Sequence, residues 1–245
     1  MKLILVVVGL TICMARVANA QIQLKFGPES FSTPIEGTSV TFVGSGTLKL
    51  FTPAGQERMD VEINSSVDLS NLQQVIPGIV QAKGNKNDDC SEVIRLHTVD
   101  LRSSADVYVG AHYERWTCFI GKNKIFEQNG DVTIGLALAV RPGGKEIGVD
   151  TTIKKIDGDG VLGTIFKSSL VGPYLTDWLS AKILQAIDPS NLKGSFPAGL
   201  TAYNPTFRTA KFVDLGSNKL GVALTATFSL SQDQAQQLIN NLKKP

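Results

Sequence analysis

The sequence predicts an α+β fold: an antiparallel β-meander sheet packed on a long kinked helix, with shorter helices beside it. Three observations carry this. Apolar residues alternate with a period of two through much of Ser39 to Ile156 and again through Phe207 to Leu230. The turns between successive runs are too short for crossover connections, so chain neighbours pair antiparallel. Gly160 to Ile187 switches instead to helical spacing.

The chain opens with Lys2, an apolar run from Leu3 to Met14 and the small-x-small end Ala18-Asn19-Ala20. This is the pattern of a secretory signal peptide cleaved after Ala20, and its apolar run is too short to span a bilayer. The reading divides the chain into a signal peptide, 1–20, and one α+β domain, 21–245, exported to the periplasm or secreted. Cys13 leaves with the leader; Ile12 before it does not suit a lipid-modified cysteine. The whole chain has 24 basic and 22 acidic residues, and losing Lys2 and Arg16 balances them at 22 each. Such a balance favours neither nucleic acid nor an anionic membrane as partner. The Lys243-Lys244 cluster reads as a solvated tail.

Ser39–Phe51 reads as a strand, with Val40, Phe42, Leu48 and Leu50 on one face and Gly44 and Gly46 marking a bulge or bend. Glu57–Ile63 continues the sheet after Pro53-Ala54-Gly55. Leu69–Ala82 is helical, with Leu72, Val75, Ile76, Ile79 and Val80 in one stripe. Ser70-x-x-Gln73 fits a capping box there, and Pro77 is expected to kink or break the helix. Gly84–Asp89 is a loop.

Four strands follow: Glu92–Leu101, Asp106–Phe119, Asp131–Val140 and Glu146–Ile156, the last two joined by Pro142-Gly143-Gly144. In Gly160–Ile187, Gly172-Pro173 is expected to break or kink the helix. Its second half carries the stripe Leu175, Trp178, Leu179 and Ile183. Phe207–Leu215 and Leu220–Leu230 form a hairpin, and Ser231 caps a final helix to Lys243.

Cys90 and Cys118 remain after cleavage, an even pair in an oxidising compartment, and read as one disulfide. If they face each other across a hairpin, its turn centres on Ser104, Val99 faces Val109, and Val93 faces Arg115. In that register His97 and His112 lie on opposite faces, which argues against a zinc site using both. His112 with Glu114 is either an acid/base pair or, preferably, an ordinary solvent face.

Gly158-Asp159-Gly160-Val161-Leu162-Gly163 has the spacing of a dinucleotide fingerprint. The antiparallel context and the acid beside the would-be pyrophosphate favour a plain strand-to-helix turn. Asp157-x-Asp159 lacks the further ligands of a calcium loop. No nucleophile-elbow, zinc-protease or phosphate-loop motif occurs, so the expectation is a protein without catalytic residues, metal or cofactor. Asn64-Ser65-Ser66 is a glycosylation sequon.

Tyr113-Glu114-Arg115-Trp116-Thr117-Cys118, Phe126–Val132 and Ile156–Gly163 together resemble a group of uncharacterised proteins exported by bacteria, over about Gln74 to Ile187. The order of helix, four-strand meander and long helix also resembles the tubular lipid-binding proteins. That resemblance implies acyl chains lying between long helix and curved sheet. The leading expectation is therefore an exported non-enzymatic protein binding a lipid or other hydrophobic ligand at Leu175, Trp178, Leu179 and Ile183. A ligand-free structural or accessory envelope protein is the second, and an extracytoplasmic hydrolase the third.

Overall fold

The computed structural model describes residues 21–53, 56–87, 90–157, 171–187 and 203–242. The strands are β1 (Ile22–Ile35), β2 (Thr38–Phe51), β3 (Met59–Asp68), β4 (Lys86–Asn87), β5 (Glu92–Leu101), β6 (Asp106–Thr117), β7 (Asn123–Val140), β8 (Ile147–Asp157), β9 (Thr206–Asp214) and β10 (Leu220–Leu230). The helices are α1 (Ser70–Gly84), α2 (Val171–Ile187) and α3 (Gln232–Leu242). They form two antiparallel five-stranded sheets, ordered β1-β2-β3-β10-β9 and β4-β5-β6-β7-β8.

This corrects the expected fold class. The described chain is mostly antiparallel sheet, in two sheets rather than one, and among the described residues no long kinked helix supports it. The resemblance to tubular lipid-binding proteins loses its basis with that helix. Gly172 and Pro173 do not kink a described helix; they fall in the first turn of α2, where proline's missing N–H has no helical partner to lose. The spacing motifs at 158–163 lie outside the described residues.

The second sheet is the expected meander with the added β4, and the hairpin register almost follows the disulfide. Val99 pairs with Val109 as expected, but the register slips by one between Leu96 and Thr98, so Val93 faces Glu114 instead of Arg115. His97 is the extra residue of that bulge. The first sheet gains β1, which the sequence does not announce. Only Phe26, Thr33 and Ile35 of its residues are buried. Its alternation, Ile22, Leu24 and Phe26 and then Phe31, Thr33 and Ile35, is interrupted by the irregularity at Gly27-Pro28 and further masked by Pro34, as an edge strand allows. Gly46 is needed where β1 crosses β2: a Cβ there would lie 2.5 Å from the Phe26 ring and 2.4 Å from the Asn64 carbonyl.

One contiguous core joins both sheets. The stripe Leu72, Ile76 and Val80 of α1 is fully buried, and α1 packs on β5 of one sheet and β2 of the other. Pro77 is accommodated within α1, which runs unbroken to Gly84. Ser70 is held by Asp68, whose Oδ1 accepts from the Ser70 amide at 2.7 Å and from its hydroxyl at 2.5 Å. Gln73 is not part of a capping box. Its Nε2 donates to the carbonyls of Leu101 (3.0 Å) and Asn218 (3.2 Å), and its Oε1 accepts from the Leu220 amide at 2.6 Å. One side chain thus ties the end of β5 to the β9–β10 hairpin. Gln73→Ala strands the amide of buried Leu220 and is expected to cost roughly 1–3 kcal/mol in chemical denaturation. The same change at exposed Gln74 should stay within about 0.5 kcal/mol.

The β7–β8 turn closes against β9. Gly144 sits at φ 68°, and a Cβ on it would lie 2.5 Å from Thr206 and 2.7 Å from the Phe207 carbonyl. Its own carbonyl accepts from the Phe207 amide at 2.7 Å. At the C-terminus Ser231 caps α3 as expected, and Gln234 makes the cap a reciprocal box: Ser231 Oγ accepts from the Gln234 amide, and Gln234 Oε1 from the Ser231 amide. Leu238 of α3 is buried. Among the described residues no helix is long and apolar enough to cross a membrane.

Candidate functional site

Of the four residues expected to line a lipid groove, the side chains of Trp178 and Ile183 are described. Ile183 is 1% exposed within the core, and Trp178 is half-buried against it. For Leu175 and Leu179 only the backbone course is described. The open depression between α2 and β8, of about 550 Å³, mixes Ile147, Val149, Ala181 and Leu184 with the charged Arg141, Glu146, Asp150 and Asp177. Those charges do not suit the bed of an acyl chain, which needs mostly apolar walls. The described part of the stripe, Trp178 and Ile183, packs against the core.

The outer face of the second sheet carries more chemistry. On β6, Val107, Val109, Ala111 and Tyr113 point into the core, so His112, Glu114 and Trp116 share the opposite face. Antiparallel pairing sets Asn129 opposite His112 and Glu127 opposite Glu114; a bulge at Ile125 then brings Lys124 opposite Trp116. Arg95 of β5 flanks His112 on the other side.

The side chains interlock. His112 Nδ1 lies 2.7 Å from Asn129 Oδ1, and its Nε2 lies 3.1 Å from Glu114 Oε1 and 3.2 Å from Glu127 Oε1. The Trp116 indole N–H donates to Glu114 Oε2 at 2.9 Å, and Lys124 Nζ donates to Glu127 Oε2. Arg95 and Lys124 stand 3.6 and 3.8 Å from Glu114 Oε1. Glu114 is only 7% exposed. The indole N–H first, then His112, hold its carboxyl below the usual carboxylate range, so it is an anion at neutral pH. Glu127 raises the Lys124 ammonium above its ordinary value. Two carboxylates directly opposite on neighbouring strands repel, and here a ring of cations and donors offsets the cost.

The bulge also corrects the expected separation of the histidines. It turns His97 to the outer face, where its ring covers Gly110, so both imidazoles lie on the same side of the sheet. They still have separate partners: His97 Nδ1 lies 3.1 Å from Thr98 Oγ1. Both nitrogens of His112 are engaged by an amide oxygen and carboxylates, which leaves neither aimed at a hydroxyl nucleophile. Asn64 of the sequon lies within β3, its amide donating to Glu62 at 2.7 Å.

Beyond Trp116 the β6–β7 connection is fastened by the expected Cys90–Cys118 disulfide, with Cα atoms 5.4 Å apart. Past it the chain presents Phe119 at 93% exposure and Ile120 at 84%, with Ile125 at 62%. Lys122 and Lys124 lie over the Trp116 ring, their nitrogens 5.0 and 5.7 Å from its centre. The sequence shows His112-x-Glu114 but hides Glu127 and this tip. Asn129-Gly130 looks like a turn that should start β7 at Asp131. In the fold β7 begins at Asn123, and Asn129 is held in the ladder by His112.

No protein family matches the chain, and neither the curated proteins nor the solved structures include one that matches it.

Proposed function

We propose that this is an exported, non-enzymatic protein that docks on a lipid bilayer surface through the β6–β7 tip. The observation that carries the reading is Phe119 and Ile120, two large apolar side chains almost wholly in solvent on a loop anchored by a disulfide. Exposed apolar groups held on a rigid base lose little entropy on insertion. Burying both contributes about 3–6 kcal/mol. Lys122 behind them adds about 1 kcal/mol where the headgroups are anionic, whereas the charge of Lys124 is offset by Glu127. That total is of the order a single myristoyl chain supplies, which gives reversible attachment. The balanced charge of residues 21–245 gives no long-range attraction, so the apolar tip is the main driver and salt has a modest effect. The disulfide and the signal-like N-terminus support an extracytoplasmic setting.

Sedimentation with vesicles containing phosphatidylglycerol tests this. Wild-type protein is expected to pellet with them, and less with pure phosphatidylcholine. The Phe119→Ser/Ile120→Ser double variant, changed only at exposed positions, should lose about 100-fold or more in partitioning, as the smaller estimate of lost burial implies. Wild type remaining in the supernatant, or a double variant that pellets equally, sinks the reading. Tip-dependent self-association without vesicle binding would reassign the tip to contacts between copies of the chain.

A further inference from the structure

The geometry points to a divalent-cation site of the zinc class at His112, Glu114 and Glu127, independent of lipid docking. Each of the three offers a donor atom, and these lie within 4.8 Å of one another; His112 Nε2 is near Oε1 of both glutamates. Two of the separations, 3.1 and 3.2 Å, are close to the roughly 3.4 Å edge of a tetrahedron with bonds of about 2.1 Å.

The outer partners select those atoms. Asn129 Oδ1 can only accept, so Nδ1 carries a hydrogen and Nε2 is the nitrogen able to give its lone pair to an ion. Trp116 occupies Oε2 of Glu114 and Lys124 occupies Oε2 of Glu127, leaving both Oε1 atoms toward Nε2. Each ligand is thus oriented by a donor or acceptor on its far atom, the arrangement that tunes metal ligands. Three lone-pair-bearing atoms converging at this range repel, a cost that Arg95 and Lys124, 3.6 and 3.8 Å from Glu114 Oε1, offset only from the rim. Protonating Nε2 would bring one hydrogen, which cannot serve both carboxylates fully; a metal ion binds all three atoms at once.

One nitrogen and two carboxylate oxygens suit Zn²⁺ or Mn²⁺ better than soft ions, and the redox-inert Zn²⁺ is indifferent to an oxidising compartment. Three protein ligands leave a fourth position open. Lys124 and Arg95 are the competing cations. Their side chains are 36% and 61% exposed, so both can swing outward when an ion enters. A bound ion would link β6 to β7 just below the exposed tip.

Calorimetric titration of tag-free protein with Zn²⁺ alone provides the test, with Co²⁺ absorption as a second readout of tetrahedral coordination. One ion per chain with micromolar affinity is expected. His112→Gln and the half-exposed Glu127→Gln should each weaken it at least 10-fold. Lys124→Gln should tighten it several-fold, and His97→Gln should leave it unchanged. Circular dichroism checks that His112→Gln keeps its fold, and Glu127→Gln serves independently because its side chain is at the surface. Absence of saturable binding to wild type overturns the inference, as does unchanged affinity in both His112→Gln and Glu127→Gln.

Discussion

Replacing Cys90 and Cys118 together with alanine is expected to lower the melting temperature by roughly 6–16 °C. The bridge spans 28 residues of sequence, and closing a loop of that length restrains the unfolded chain by about 3–4 kcal/mol. For a chain of this size each kcal/mol moves the midpoint by about 2–4 °C. Native geometry adds a reason to expect the full effect. The bridge joins the residues flanking the outer ends of β5 and β6, and the hairpin between is already laddered from Glu92 to Leu101. It therefore closes a loop that the fold has already shaped. The same bridge anchors the β6–β7 connection, so the alanine pair should also weaken vesicle partitioning, by less than the loss from Phe119→Ser/Ile120→Ser. Scanning calorimetry of both proteins without reductant gives the first number. A shift under about 3 °C would mean that the ladder alone restrains this end of the hairpin.

How much of this was legible depended on whether a residue's role was local. Ser231 and Gln234 cap α3 because a capping box involves only its own four residues. The Val99–Val109 pairing followed from the two cysteines because the turn half of the hairpin is regular. The other half slipped by one at His97, since a bulge costs one residue and leaves no compositional mark. That single residue brought both histidines to one face and put Val93 opposite Glu114. β1 was hidden because Gly27-Pro28 cuts its alternation into two short runs, Ile22 to Phe26 and Phe31 to Ile35. The long kinked helix was inferred from apolar spacing across Gly172-Pro173, yet the same dipeptide suits the first turn of α2. At the site, His112 and Glu114 were visible as neighbours on one strand. Glu127, Asn129 and Lys124 join them across the ladder, and that depends on β7 running through an Asn-Gly pair that locally resembles a turn. The exposed tip was hidden differently: Phe119 and Ile120 look like the end of an apolar strand until the fold leaves them outside.

Ile76→Ala is expected to destabilise the protein by about 2–5 kcal/mol, and to do so in both sheets at once. Ile76 has no exposed surface, and its neighbours on the stripe, Leu72 and Val80, are equally enclosed. Removing its outer carbons loses their transfer from water and leaves a cavity that packed neighbours cannot fully close. The location matters more than the size. α1 rests on β2 of one sheet and β5 of the other, and Gln73 bonds to both one turn earlier. If α1 is the element through which the sheets stabilise each other, the variant should unfold in one transition with an unchanged denaturant slope and a lower midpoint. Amide exchange should then accelerate by similar factors in β2 and β5. Two separated transitions, with only β5 to β8 exchanging faster, would mean that the sheets hold independent cores. The hairpin carrying His112, Glu114 and the exposed tip would then be a platform able to unfold without the rest of the chain.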